Sequence, residues 1–91
     1  MLRITEKKEG ERIRVLYLEG KICRDYVNEL RAEIDRGIRS GEMIVLDFAR
    51  IAFLDDEAAR MIRQFNESRL SLRNCSLFIR TALEMEEEEE K

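Results

Sequence analysis

At 91 residues the chain has room for one domain and one modest core. Hydrophobic residues make up 44% and charged residues 41%, too apolar for a disordered chain and unusually charged for a globular one. A net charge of −3 and a pI near 5.1 argue against nucleic acid as a partner, and a solvated acidic surface is the simplest reading.

No apolar run approaches the roughly 20 residues of a membrane span, so direct membrane insertion is not expected. Met1-Leu2-Arg3-Ile4-Thr5-Glu6 turns polar at once and lacks the apolar core of a signal peptide, so a cytoplasmic location is expected. Cys23 and Cys75 are far apart, and histidine is absent, so no metal site is expected. Both cysteines sit beside apolar residues and are expected as small buried hydrophobes.

Residues 2–5 alternate apolar and polar. Lys7-Lys8-Glu9-Gly10-Glu11 then breaks the pattern, and Arg12-Ile13-Arg14-Val15-Leu16-Tyr17-Leu18 resumes it. This predicts an antiparallel hairpin whose short, charged first strand lies at a sheet edge. Glu19-Gly20-Lys21 punctuates the chain. From Arg24 to Arg39 the apolar residues Tyr26, Val27, Leu30, Ile34 and Ile38 recur at three- and four-residue steps, which predicts an amphipathic helix. Asp25 near its start and Arg36 and Arg39 near its end suit the helix dipole, and Gly41 is a plausible stop.

Met43-Ile44-Val45-Leu46, followed by Asp47 and Phe48, predicts a strand covered on both faces. Arg50-Ile51-Ala52-Phe53-Leu54 is expected to connect it to a second helix opened by Asp55-Asp56-Glu57. In that helix Leu54, Ala58, Met61, Ile62 and Phe65 form the buried stripe. Asp56, Glu57, Arg60, Arg63 and Gln64 lie outward, with Asp56 and Arg60 as an i,i+4 ion pair. Asn74-Cys75-Ser76-Leu77-Phe78-Ile79 is expected as the last strand, and Thr81-Ala82-Leu83-Glu84-Met85 as the beginning of a short helix. The whole is one domain over residues 1–85, followed by a self-repelling, flexible acidic tail at 86–91.

The predicted order is β-β-α-β-α-β. It implies an α/β fold with a mixed four-stranded sheet. An antiparallel N-terminal edge strand precedes a parallel β-α-β-α-β unit with right-handed crossovers and helices mainly on one face.

Chemistry is conspicuous by what the sequence lacks. Without histidine there is no Ser-His-Asp or Cys-His constellation, and no phosphate-binding or dinucleotide-binding glycine motif is present. The Asp55-Asp56-Glu57 cluster reads either as a capped helix start or as carboxylates facing a partner's basic groups, and because successive residues there point in different directions they do not converge as a metal or catalytic site would. No catalytic residue and no cofactor are expected, and the chain is not expected to be an enzyme.

Three stretches together resemble the STAS domain, shared by sulphate transporters and bacterial anti-sigma factor antagonists. They are Leu18-Glu19-Gly20-Lys21-Ile22, then Ile44-Val45-Leu46-Asp47-Phe48, then Phe53-Leu54-Asp55-Asp56-Glu57-Ala58-Ala59. The family pattern is L-x-G-x-L ending a strand, a strand closing as L-D-L, and F-I-D-S-S-G-L entering a helix. The resemblance covers about residues 2–80. It implies a docking surface at the start of the second helix, comprising Asp55, Asp56, Glu57, Ala58 and Arg60, with Gly20, Ile22 and Cys23 in a neighbouring loop. In antagonist members a partner kinase phosphorylates the second serine of D-S-S-G, which releases the complex.

The chain departs from this pattern in three places. Asp55 matches the family's aspartate, but Asp56 and Glu57 stand in the serine positions and Ala58 in that of the glycine. Carboxylates cannot accept the phosphoryl group as a hydroxyl does, so the serine switch is expected to be absent and Glu57 to provide a permanent negative charge. Cys23 stands where the family often has an acidic residue. The chain also stops soon after the expected last strand, where many members continue through another helical segment.

What the resemblance implies is a regulatory protein-binding module whose partner is an anti-sigma or kinase-type protein. An accessory subunit bound to the ATPase of a lipid-transporting ABC complex is the alternative, and a small-molecule binding domain a further one. Homodimerisation is also an expectation.

Overall fold

The computed structural model describes residues 1–65 and 69–84. Its elements in chain order are β1 (Leu2–Gly10), β2 (Ile13–Ile22), α1 (Arg24–Arg39), β3 (Met43–Leu54), α2 (Asp56–Gln64), β4 (Leu70–Arg73) and α3 (Leu77–Ala82). The strands form one sheet in the order β1-β2-β3-β4. β1 runs antiparallel to β2, and β2, β3 and β4 are mutually parallel. This is the expected mixed α/β architecture.

Alternation along the strands sorts the side chains. Leu16 and Leu18 of β2 and Ile44, Leu46 and Phe48 of β3 share one buried cluster with Val27, Leu30 and Ile34 of α1, Ala58, Met61 and Ile62 of α2, and Ile79 of α3. The helix stripes predicted from three- and four-residue spacing therefore face the core, with Ile38 and Phe65 packed at its margin and Tyr26 only partly buried outside it. Gly37 lets α1 lie close on the sheet, since a Cβ there would run into the Ile44 side chain. Glycine costs about 1 kcal/mol in a helix relative to alanine, and close approach to the sheet offsets that cost here.

Val15 and Val45 are buried yet lie outside this cluster, on the other face of the sheet. A row of cross-strand neighbours covers that face: Tyr17 pairs with Asp47, and Asp47 with Arg73. The Asp47 carboxylate is 5% exposed overall as a residue. Its Oδ1 accepts the Ala49 N–H (2.9 Å), and its Oδ2 accepts from Arg73 Nε (3.2 Å) and Asn74 Nδ2 (3.0 Å). Arg73 then reaches back across the sheet to the Tyr17 hydroxyl (3.2 Å) and to Glu9 (3.4 Å), with its guanidinium 5.8 Å from the Tyr17 ring centre. At the opposite end, buried Glu42 accepts two hydrogen bonds from Arg14 (2.8 and 3.1 Å) and pairs with Lys8 (3.3 Å). Arg14 also contacts Glu6.

Several expectations need correction. β1 is nine residues long, and β2 continues through Glu19-Gly20-Lys21 to Ile22. The segment expected to connect after Phe48 is strand: β3 runs on to Leu54 and pairs with Glu19, Gly20, Lys21 and Ile22. Two register shifts in this stretch disrupt the alternation by which a strand is recognised in a sequence.

The last strand is Leu70–Arg73, with Leu70 and Leu72 packed on the core. Asn74, at φ 59°, ends it in the left-handed region. Ser76 then caps α3 by accepting the Ile79 N–H (3.2 Å), so Leu77-Phe78-Ile79 is helix rather than strand. The short helix accordingly starts four residues before Thr81. Cys23 and Cys75 are only partly buried and not fully internal, although burial does push the Cys75 thiol up. Met85 and the expected tail at 86–91 lie outside the described residues.

The two buried carboxylates make a testable contribution. Desolvation pushes Asp47 up, but its hydrogen bonds outweigh this and hold it below its ordinary 3.8. The Arg14 hydrogen bond holds Glu42 below its ordinary 4.5. Their stabilisation is therefore complete above those ordinary values and is lost as pH falls through the lower folded values. Urea midpoints measured from neutral pH downward should decline below about pH 4.5. Asp47→Asn should lower stability at pH 7 by about 1–3 kcal/mol and flatten that decline.

Candidate functional site

Parallel pairing of β2 with β3 brings Ile22 beside Leu54, so both strands end at the same edge of the sheet. A helix leaves from each end. Cys23 is the N-cap of α1 and makes no side-chain cap, whereas Asp55 is the N-cap of α2 and does.

The Asp55 carboxylate serves both helices. Its Oδ1 accepts the Ala58 N–H (2.8 Å), the usual capping bond. Its Oδ2 accepts the N–H of Arg24, the first residue of α1 (2.8 Å). The Asp55 N–H in turn donates to the Ile22 carbonyl (3.1 Å). One side chain thus stitches two helix N-termini to the end of the sheet.

The other predicted site residues separate into two groups. Asp56, Glu57 and Arg60 are exposed on α2. Ala58 and Ile22 are fully buried, and Gly20 and Cys23 are half-buried. Gly20 matters through its backbone: its φ is +109°, and a Cβ would collide with the Met1 carbonyl. That carbonyl accepts the Lys21 N–H (3.0 Å), anchoring the start of the chain beside this edge. The ion pair expected between Asp56 and Arg60 is not among those of the described residues. Glu57 pairs instead with Arg24 across the helix mouth (3.2 Å).

Between α1 and α2 runs a groove of about 380 Å³, with Val27 and Met61 in its lining. Its polar lining is Arg24, Asn28 and Arg31 from α1 and Glu57, Arg60 and Gln64 from α2. Three guanidiniums face one carboxylate in this groove, so the surface beside Glu57 is positive, whereas the sequence places only Arg60 next to the three acidic residues. Sequence reasoning missed Arg24, Asn28 and Arg31. They follow helical spacing beside the apolar stripe of α1, but only the fold sets them opposite Glu57, Arg60 and Gln64.

The same end of β3 exposes apolar surface. Phe53 is 41% exposed, Phe78 50% and Leu77 70%, and the two rings stack at 6.3 Å between centroids. A second concavity, of about 400 Å³, lies on the face opposite the helices and is lined in part by Thr5, Tyr17, Glu19 and Asp47. Asp47 is already bonded to Ala49, Arg73 and Asn74. Among the described residues no three Cys, Asp or Glu side chains converge on a point that could hold a metal ion.

No protein-family profile and no curated protein sequence matches the chain. Solved structures do. The anti-sigma factor antagonist SpoIIAA in its unphosphorylated form superposes with a TM-score of 0.73 at 19% identity, over 90% of this chain and 78% of that one. An anti-sigma factor antagonist STAS domain from Rhodobacter sphaeroides gives 0.54 at 20% identity, over 80% of this chain and 86% of the other. The chain has the STAS-domain fold. A further match, the structure of Mglu, gives 0.60 at 24% identity and covers 75% of this chain but only 18% of that longer protein. In this STAS fold, the residues that resemble the family's D-S-S-G stretch fall at the mouth of α2, with Asp55 as its N-cap.

Asp55→Ala should cost about 1–3 kcal/mol in chemical denaturation, because two backbone donors lose their acceptor at once. Amide exchange should accelerate at both Arg24 and Ala58, thirty-four residues apart in sequence. Acceleration confined to α2 would show that the bond to Arg24 contributes nothing.

Proposed function

We propose that this STAS-fold chain is a regulatory protein-binding module that docks through the mouth of α2 and lacks the serine phosphoswitch. The observation that carries the reading is Glu57. It is exposed in the first turn of α2, where the resemblance puts the phosphorylated serine, on a fold shared with anti-sigma factor antagonists. Asp56 and Glu57 offer no hydroxyl for phosphoryl transfer. The reading is therefore binding without catalysis and without a cofactor.

Charge sets the state of the surface. A phosphoserine carries about −1.5 to −2 at neutral pH. Glu57 carries −1 at most, and Arg24 sits 3.2 Å from it. With Asp56 charged beside it, the mouth of α2 keeps the fixed negative charge of a permanently modified site, offset in part by Arg24, and it does not switch. Phe53, Leu77 and Phe78 supply apolar area at the same end of the fold, suited to a macromolecular partner.

The partner class follows from the resemblance: an anti-sigma or kinase-type regulator in the cytoplasm, with the ATPase of a lipid-transporting ABC complex as the alternative. No helix of the described residues is long and apolar enough to cross a membrane. Cross-linked capture from the native host, followed by identification of the captured protein, separates the two partners. So does the identity of the neighbouring genes.

With the captured partner in hand, Glu57→Lys should weaken binding about tenfold by calorimetry, equivalent to about 1.4 kcal/mol. Unchanged affinity would remove the helix mouth from the interface. If the apolar patch also pairs two copies of the chain, light scattering at two concentrations should show a dimer that Phe78→Ser abolishes.

A further inference from the structure

The sheet face without helices carries a cavity that the docking surface does not use. Between the Tyr17–Asp47 pair and the Glu19–Arg50 pair, β2 advances two residues and β3 three. Phe48 and Ala49 thus stand together against Leu18, and the Ala49 N–H closes this bulge by donating to Asp47 Oδ1 (2.9 Å). A bulge bends its strand and re-aims the side chains around it. Here it accompanies the concavity of about 400 Å³, a volume within the range of small-ligand pockets, about 300–1,000 Å³. The walls carry charge of both signs. Asp47 lines the cavity with two of its hydrogen bonds on Oδ2 and one on Oδ1, so one acceptor position on Oδ1 remains open. Glu19 and Arg50 line it beyond the bulge. They are directly opposed on strands about 4.8 Å apart, near enough to pair, yet neither joins an ion pair among the described residues.

We infer that this cavity binds a free α-amino acid with an apolar side chain, its ammonium on Glu19 and Asp47 and its carboxylate on Arg50. A zwitterion is the class that satisfies all three groups. A simple cation would leave the Arg50 guanidinium unanswered, and a simple anion would meet two carboxylates. An ammonium has three donors to share between Glu19 and the open position on Asp47 Oδ1. Because Arg73 already holds Asp47 Oδ2, Glu19 supplies the uncompensated charge and Asp47 the directed acceptor. A guanidinium takes a carboxylate through two parallel N–H donors. The apolar surface of Leu18, Ala49 and the Tyr17 ring is left for the ligand's side chain. The site lies on the face opposite α1 and α2, so it does not rest on the docking reading above.

The test titrates the full chain with three probes: L-leucine, N-acetyl-L-leucine, which lacks the ammonium, and isoamylamine, which lacks the carboxylate. Leucine should shift the backbone amide resonances of Glu19, Ala49 and Arg50, and each truncated probe should bind about tenfold more weakly, the loss of one charged hydrogen-bonding group. Glu19→Gln and Arg50→Gln should each weaken leucine about tenfold as well. Both side chains are exposed, so the urea midpoint should stay where it is in either variant. In R50Q the advantage of leucine over isoamylamine should vanish, which a merely structural role for Arg50 would not produce. Asp47→Asn is unsuited to this purpose, because it destabilises the fold. No shift with leucine at about 10 mM, tenfold above a Kd of about 1 mM, would overturn the inference. So would equal binding of the three probes, or shifts centred on Arg24 and Arg60 in the α1/α2 groove. None of these readouts involves a protein partner, so they stand or fall separately from the docking function.

Discussion

Two helices that start at the same edge of a parallel sheet bring two positive dipole ends together, each equivalent to about half an elementary charge. Something must hold the ends of α1 and α2 beside one another, and here it is the Asp55 carboxylate, accepting one N–H from each. α1 has no cap of its own from Cys23, so its first free donor depends on a residue from the other side of β3. The capping bond most helices satisfy locally has become a tertiary contact. That junction sets the two helix starts side by side, with Glu57 in the first turn of α2.

The aspartate that carries the resemblance is therefore occupied with architecture. Its two oxygens are committed to backbone donors, which leaves Asp56, Glu57 and Arg60 as the side chains able to meet another molecule. This division also accounts for the burial of Ala58: the first turn of α2 lies against the sheet, and a small residue suffices there. The opposite face of the sheet meets a comparable demand by other means. On the face that carries Val15 and Val45, the buried Asp47 holds Arg73, and Arg73 reaches the Tyr17 hydroxyl.

What could be read from the residues follows the range of the interactions involved. α1 and α2 were legible because their stripes depend on neighbours three and four positions away. The antiparallel start and parallel remainder were legible because element order constrains pairing. The second half of β3 was not, since two register shifts break the alternation that marks a strand. β4 and α3 were exchanged for a strand because Leu77-Phe78-Ile79 is apolar and continuous. The capping serine at 76 and the alternation of Leu70-Ser71-Leu72-Arg73 were the signals that would have separated them. Asp55, Glu57 and Arg60 were visible through a motif, whereas Arg24 and Arg31 were invisible until the crossover placed one helix beside the other. Charge on a surface is a sum over elements distant in sequence, and Arg24 and Arg31 join that sum here only through the fold.

That sum bears on what replacing a serine by a glutamate does. A switchable site needs a group whose charge changes while its surroundings stay put. Glu57 keeps one charge, and Arg24 faces it at ion-pair distance in an exposed setting where such pairs are worth about 0.2–1 kcal/mol. A pair that weak can exchange partners: an incoming cation can take Glu57, or an incoming anion can take Arg24. The mouth of α2 thus offers charge of both signs to whatever approaches, at little cost in rearrangement. The arginines flanking the pair make the groove beside Glu57 positive, so the charge at this mouth depends on the groove as much as on Glu57 itself.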